Sequence, residues 1–142
     1  MKQRIVVDTS TLVSAALRAD SKPRQALRRA VVLFELCLSG ATVSELETVL
    51  ARPQFAKYAA AETLRAFIES IRAEGRMFSV SAADLEKVEP RCRDAEDHHV
   101  LALAIVAKVD LIVASDHDLL VLNPWRGIPI LTPAQFLAQF TP

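Results

Sequence analysis

Two short apolar runs each lead into an aspartate. Ile5-Val6-Val7 stops at Asp8, and Leu111-Ile112-Val113-Ala114 runs through Ser115 to Asp116. The second run has no polar alternation, as expected for a strand covered on both faces, which is the habit of parallel sheets. Three further strand candidates are Leu33-Phe34-Glu35-Leu36-Cys37-Leu38, Met77-Phe78-Ser79-Val80 and Ile128-Pro129-Ile130-Leu131. The last is an edge strand, because Pro129 has no N–H to donate to a ladder. Helical patterns separate the strands. One covers residues 11–17, and a second opens with Ser21 as N-cap and Pro23 in the first turn. A third covers 42–51 and ends before Pro53. A fourth, over 60–72, places Leu64, Phe67, Ile68 and Ile71 on one face. A fifth covers 94–108 with a broad apolar stripe, and Thr132-Pro133 opens a last one with Phe136, Leu137 and Phe140 inward. Strands alternating with helices predict an α/β fold with a mostly parallel sheet and right-handed crossovers.

At 142 residues the chain is expected to form one domain over 1–142. Its three glycines, Gly40, Gly75 and Gly127, are far apart, which excludes Gly-rich dinucleotide and phosphate loops. Cys37 and Cys92 stand alone. Two isolated thiols fit a reducing compartment, and no apolar run is long enough for a leader or a membrane span. A cytoplasmic protein without a membrane partner is therefore expected. Lys plus Arg and Asp plus Glu both count 17, so the net charge is zero, whereas nucleic-acid binders are usually basic. The charge is unevenly spread, however. Arg18, Lys22, Arg24, Arg28 and Arg29 face Asp20 alone, while Asp84, Glu86, Glu89, Asp94, Glu96 and Asp97 outnumber Lys87, Arg91 and Arg93 in a second stretch.

In open parallel sheets, ligands bind beyond the carboxyl ends of the strands. If the two aspartate-ending strands are adjacent, Asp8 and Asp116 share one crevice. The helix that feeds the Leu111 strand runs opposite to it, so its start, Asp94-x-x-Asp97, lies beside Asp116. The helix over 42–51 brings Glu45 and Glu47. Carboxylates gathered at one edge repel one another, and a cation lets them ionise together. All-oxygen ligands suit Mg²⁺ or Mn²⁺, and such a site beside a basic lobe points to phosphodiester chemistry. Each residue also has a local alternative. Asp8 and Asp94 are N-cap residues by type. Thr42-Val43-Ser44-Glu45 matches a capping box, and Asp116 and Asp118 suit a surface turn. Periodicity does not separate Glu45 from Glu47, because both flank the buried face marked by Val43, Leu46, Val49 and Leu50.

Five stretches, taken in order, resemble the PIN-domain family of metal-dependent nucleases, and within it the branch of toxin components of toxin–antitoxin pairs. They are Ile5-Val6-Val7-Asp8-Thr9-Ser10, the segment from Glu45 through Arg52-Pro53 to Phe55, Cys92-Arg93-Asp94-Ala95-Glu96-Asp97, Ser115-Asp116-His117-Asp118-Leu119-Leu120, and the segment from Gly127 to Pro133. The resemblance implies a three-layer α/β/α sandwich and an Mg²⁺- or Mn²⁺-dependent endoribonuclease. It implies catalytic acids Asp8, Glu45, Asp97 and Asp116, with Asp118 as a further metal ligand. Glu45 is preferred over Glu47 by this resemblance alone. Around the acids, Ser10 and Asp94 are expected to orient ligands or water. Arg24 and Arg28, which share a helix face, are expected to meet RNA phosphates. The implied partners are an RNA substrate, a cognate antitoxin protein and a second copy in a homodimer. His98-His99 departs from the usual pattern of the branch. Two rivals remain: a catalytically silent PIN-fold module that binds RNA or protein, and a phosphate-transferring enzyme with Asp8 as nucleophile.

Overall fold

The computed structural model describes residues 2–141, and of Glu96 the backbone only. Met1 and Pro142, the ends of the expected domain, lie outside the described residues. The chain runs β1 (Arg4–Val7), α1 (Thr9–Leu17), α2 (Lys22–Leu33), β2 (Glu35–Ser39), α3 (Gly40–Leu50) and α4 (Ala61–Glu74). It continues through β3 (Arg76–Phe78), α5 (Ala82–Glu86), α6 (His98–Ala107), β4 (Leu111–Val113), α7 (His117–Leu120), β5 (Ile130–Leu131) and α8 (Pro133–Gln139). Short 3₁₀ turns occupy Pro53–Phe55 and Ala95–Asp97.

The five described strands form one sheet in the order β3-β2-β1-β4-β5, and every pairing is parallel. Alternation along the strands divides two cores between the faces. Ile5, Val7, Leu36, Leu38, Leu111 and Val113 pack with residues of α1, α2, α3, α4 and α8. Val6, Cys37, Ile112, Ala114 and Ile130 pack with α6, and with Leu119 of α7 and Trp125. The result is the expected α/β/α sandwich. Helix α6 buries Val100, Leu101, Ala102, Leu103 and Ala104 in succession, which fits its broad apolar stripe.

The sequence-derived boundaries shift where capping decides them. Helix α2 is capped by Ser21, whose hydroxyl accepts from the Arg24 amide, and it runs through Leu33, so β2 starts only at Glu35. Helix α3 starts at Gly40, not residue 42, because Ser39 is its cap and accepts from the Thr42 amide at 3.3 Å. Residues 94–108 are not one α-helix: the Ala95–Asp97 turn precedes α6, and Lys108 ends it in the left-handed conformation at φ 53°. Helices α5 and α7 have no counterpart in the sequence reading. They hold five and four residues, too few for an apolar period to register.

β1 and β4 are neighbours, with Val7 opposite Val113. The strand order reverses between them, since β2 follows on one side of β1 and β4 lies on the other. The carboxyl ends at this switch point carry Asp8 and Asp116, so the condition for a shared crevice is met.

Gly75 lies between α4 and β3 in a tightly packed position. A Cβ there would sit 2.5 Å from Leu38 Cδ1 and 2.9 Å from its Cγ. Leu38 is buried and cannot swing clear. Gly75→Ala is expected to cost about 1–3 kcal/mol by overpacking, read from denaturant unfolding. An unchanged midpoint would contradict this packing.

Candidate metal centre

The crevice above the switch point is a cleft of about 680 Å³. Its walls include Glu45, Asp94, Asp97 and Asp116, with Ser10 and Ser14 from α1 and Arg52 after α3. One carboxylate oxygen from each of Asp94, Asp97 and Asp116 lies within 4.8 Å of the other two. Asp94 and Asp97 converge because of the 3₁₀ turn, in which side chains three apart eclipse; the Asp97 amide donates to the Asp94 carbonyl at 3.1 Å. Asp97 is the N-cap residue of α6, yet its side chain makes no capping bond. Asp116 caps α7, accepting from the Asp118 amide at 2.8 Å.

Asp8 lies beneath this group and is 1% exposed. One of its oxygens accepts from the Thr11 amide at 2.9 Å. The other accepts from the amides of Ser115 and Asp116 at 3.1 and 3.3 Å. The N-cap reading of Asp8 is thus correct, and the same carboxylate also fixes the backbone that carries Asp116. Ser10 lines the cleft, but the bonds that orient Asp8 come from those three amides. Thr11 Oγ1 and Ser115 Oγ meet at 2.7 Å across the same junction. Thr9 Oγ1 is buried without a hydrogen-bond partner among the described residues, and Thr9 is itself part of the cleft wall.

The capping-box reading of Glu45 does not hold, because α3 starts too early for Glu45 to reach the cap. Its Oε2 instead meets His99 Nε2 at 3.1 Å. Glu47 points elsewhere and pairs with Arg72 of α4 at 3.4 Å. The two histidines that depart from the branch's pattern are both engaged: His98 Nε2 contacts the Cys92 carbonyl at 3.0 Å, and the His99 side chain is 13% exposed.

Asp118 is not among the residues of the cleft wall; its carbonyl accepts from the Cys92 thiol at 3.3 Å. The expected RNA track is also altered. Arg24 donates to the Ala15 carbonyl at 2.7 Å and lies 4.9 Å from the Phe67 ring centre. Its guanidinium joins α1, α2 and α4, and burial pulls its pKa down. Arg28 is exposed on α2. Arg52 was not singled out from sequence, although it stands in the Glu45-to-Phe55 segment. Among the described residues of the cleft wall it is the single cation.

The carboxylates are electrostatically strained. Burial, the hydrogen bond to Asp116 and the charges of Asp116, Asp94 and Asp8 push the Asp97 carboxyl up to about 8. Burial also raises Asp8, against the opposing pull of its amide donors. The raised Asp97 carboxyl favours its protonated form near neutral pH, and an oxygen-seeking divalent cation can take the place of that proton. The donor set therefore fits Mg²⁺ or Mn²⁺.

A PIN domain family model matches residues 4–118. Among solved structures, the fold is similar to VapC20 of Mycobacterium tuberculosis, a sarcin–ricin loop cleaving toxin. That match has 19% identity and a TM-score of 0.57, and it covers 80% of this chain and 91% of that one. It is also similar to VapBC2 of Rickettsia felis, solved bound to a DNA fragment from their promoter. There the identity is 12% and the TM-score 0.64, over 91% of this chain and 98% of that one. No curated protein sequence matches the chain.

The strain on Asp97 sets a pH dependence. The folded group keeps its proton to about pH 8, whereas an unfolded aspartate loses it near 4. Between those values the folded state binds more protons, so stability is full below about 4 and falls as pH rises towards 8. In EDTA the melting temperature should therefore drop from pH 5 to pH 8. Mn²⁺ should reduce that slope, and Asp97→Asn should flatten it. A pH-independent melting temperature in EDTA would contradict the raised Asp97 carboxyl.

Proposed function

Because the chain belongs to the PIN domain family, we propose that it is a divalent-cation-dependent endoribonuclease and the toxin component of a toxin–antitoxin pair. The observation that carries this reading is the convergence of Asp94, Asp97 and Asp116 at the sheet's switch point. Likeness in fold to a sarcin–ricin loop cleaving toxin and to VapBC2 supports the toxin assignment. A cognate antitoxin is the partner proposed by the same comparison.

Asp94, Asp97 and Asp116 would hold the cation, with Glu45 at the side of the cleft. Asp8 keeps Asp116 in place through the Ser115 and Asp116 amides. A divalent cation there supplies Lewis acidity, which makes water nucleophilic near neutral pH and offsets charge on the phosphate. The chain's own residues do the positioning. Arg52 offers its guanidinium to a phosphate that enters the cleft, and the Ser10 and Ser14 hydroxyls line its approach. Asp97, whose carboxyl is raised by burial and by its acidic neighbours, would release its proton on binding the cation.

Purified protein incubated with a mixed RNA pool should cut it with Mg²⁺ or Mn²⁺ and stop on addition of EDTA. Asp116→Asn should lower cleavage at least roughly 100-fold, the scale seen when one preorganised charge contact is lost. Cleavage that survives EDTA and Asp116→Asn, in a preparation free of host nuclease, would overturn the proposal. Tight RNA binding without turnover would favour the silent module instead.

Arg52 gives a separate expectation. Arg52→Ala should raise KM for RNA and flatten the salt dependence of binding by about 0.7 in log–log slope for single strands. Arg24→Ala should lower the melting temperature instead, since that guanidinium is engaged inside the fold. An unchanged slope in Arg52→Ala would remove Arg52 from the RNA path.

A further inference from the structure

Glu45 is a long side chain on the cleft wall, and its carboxylate makes one hydrogen bond among the described residues. His99 Nε2 lies 3.1 Å from Glu45 Oε2. The other ring nitrogen, Nδ1, lies 3.5 Å from Thr42 Oγ1. Thr42 Oγ1 lies 3.1 Å from Ser39 Oγ, and both of those residues are buried. A carboxylate only accepts, so the ring must carry its proton on Nε2. In the neutral ring Nδ1 then accepts from the Thr42 hydroxyl, and Thr42 in turn accepts from Ser39. One direction of donation runs from the cap of α3, through α6, back to α3 one and a half turns further on. Glu45 Oε1 has no hydrogen-bond partner among the described residues. The contact also forms a boundary: Glu45 lines the acidic cleft, while His99 lines a neighbouring groove of about 510 Å³ with Ser39 and Phe78.

We propose that His99 is the positioning residue for Glu45: its Nε2–H holds one carboxylate oxygen and leaves the other for the divalent cation, and Thr42 fixes the ring tautomer that does so. This rests on the reading of the cleft as a cation site. Histidine is the side chain that spans this gap, since its ring links two partners with two nitrogens and no flexible stem. The arrangement places the imidazole ring directly behind Glu45. Loss of the ring leaves the carboxylate free to sample other rotamers, so cation affinity and turnover fall together, while RNA binding at saturating Mn²⁺ is kept. Residues that orient a ligand from behind typically affect metal affinity or activity by roughly 10–100-fold.

The test compares wild type, His99→Ala, His99→Gln, Thr42→Val and Glu45→Gln. The readouts are Mn²⁺ affinity by calorimetry, kcat and KM for RNA cleavage, and melting temperature in EDTA. His99→Ala should weaken Mn²⁺ binding and, at saturating Mn²⁺, lower kcat by roughly 10–100-fold with KM little changed. His99→Gln keeps an N–H near the position of Nε2 and should recover most of both. Thr42→Val should fall between them. In a Glu45→Gln background, His99→Ala should add nothing to the loss of Mn²⁺ affinity. If the alanine variant does not fold, His99→Asn takes its place, with an amide that stops short of Glu45. Wild-type Mn²⁺ affinity in His99→Ala, or losses that add in full to those of Glu45→Gln, would overturn the role of His99 and leave the nuclease reading intact. A wild-type protein that neither binds Mn²⁺ nor cleaves RNA would overturn the cation site itself, and this role with it.

Discussion

A single buried carboxylate ties the switch point together. Asp8 is almost fully removed from water, which alone would be costly for a charged group. Three backbone amides offset that cost, and they come from two parts of the chain: Thr11 at the start of α1, and Ser115 and Asp116 at the end of β4. The bonds therefore serve local and distant purposes at once. They cap α1, and they clamp the end of β4 against the end of β1, continuing the ladder bond from the Asp8 amide to the Val113 carbonyl. The direction in which Asp116 leaves the sheet follows from this clamp, and so does the crevice into which α6 delivers Asp97.

The two cores make that clamp possible. Strict alternation sends Ile5 and Val7 to one face and Val6 to the other, so β1 is buried on both sides and Asp8 is buried at its end. On one face, Phe34 of the α2–β2 junction meets Phe136 and Phe140 at 5.8 and 5.3 Å between ring centres, which anchors the last helix. On the other, Trp125 is buried and its indole N–H donates to the Pro90 carbonyl at 2.7 Å. That bond fastens the segment before Cys92 and Asp94, so the turn that carries two of the clustered acids is held by a residue far along the chain.

The sequence was most informative where a single residue type forces a local choice. Ser21 with Pro23, and Thr132 with Pro133, mark helix starts that the structure confirms. The apolar runs mark the strands, and their aspartate ends mark the crevice. It was least informative where a distant partner decides. Glu45 and Glu47 flank the same buried face, and only His99 on α6 and Arg72 on α4 separate them. Arg24 reads as a surface cation until Phe67 and the Ala15 carbonyl enclose it. Asp94 ranks as a supporting residue in a helical reading. The 3₁₀ turn makes it an equal member of the acidic group, a change of one hydrogen-bond step that no pattern of apolar residues encodes.

The disposition of charge changes how a neutral chain can meet a polyanion. Arg24 is turned inward, and Arg29 donates to the Leu137 carbonyl of α8 at 2.9 Å. Much of the basic lobe thus holds α2 to its neighbours and is not free to form a track for phosphates. The cleft itself is acidic, with Arg52 as the one cation among its described wall residues. On the proposed reading such a surface repels RNA until the carboxylates are neutralised. The cation then has two tasks, one chemical and one electrostatic. It would supply the reactive site, and it would offset most of the cleft's negative charge so that a phosphate can approach Arg52. A nuclease built this way draws its attraction for substrate from the bound ion more than from its own side chains, which reconciles a net charge of zero with a nucleic-acid substrate.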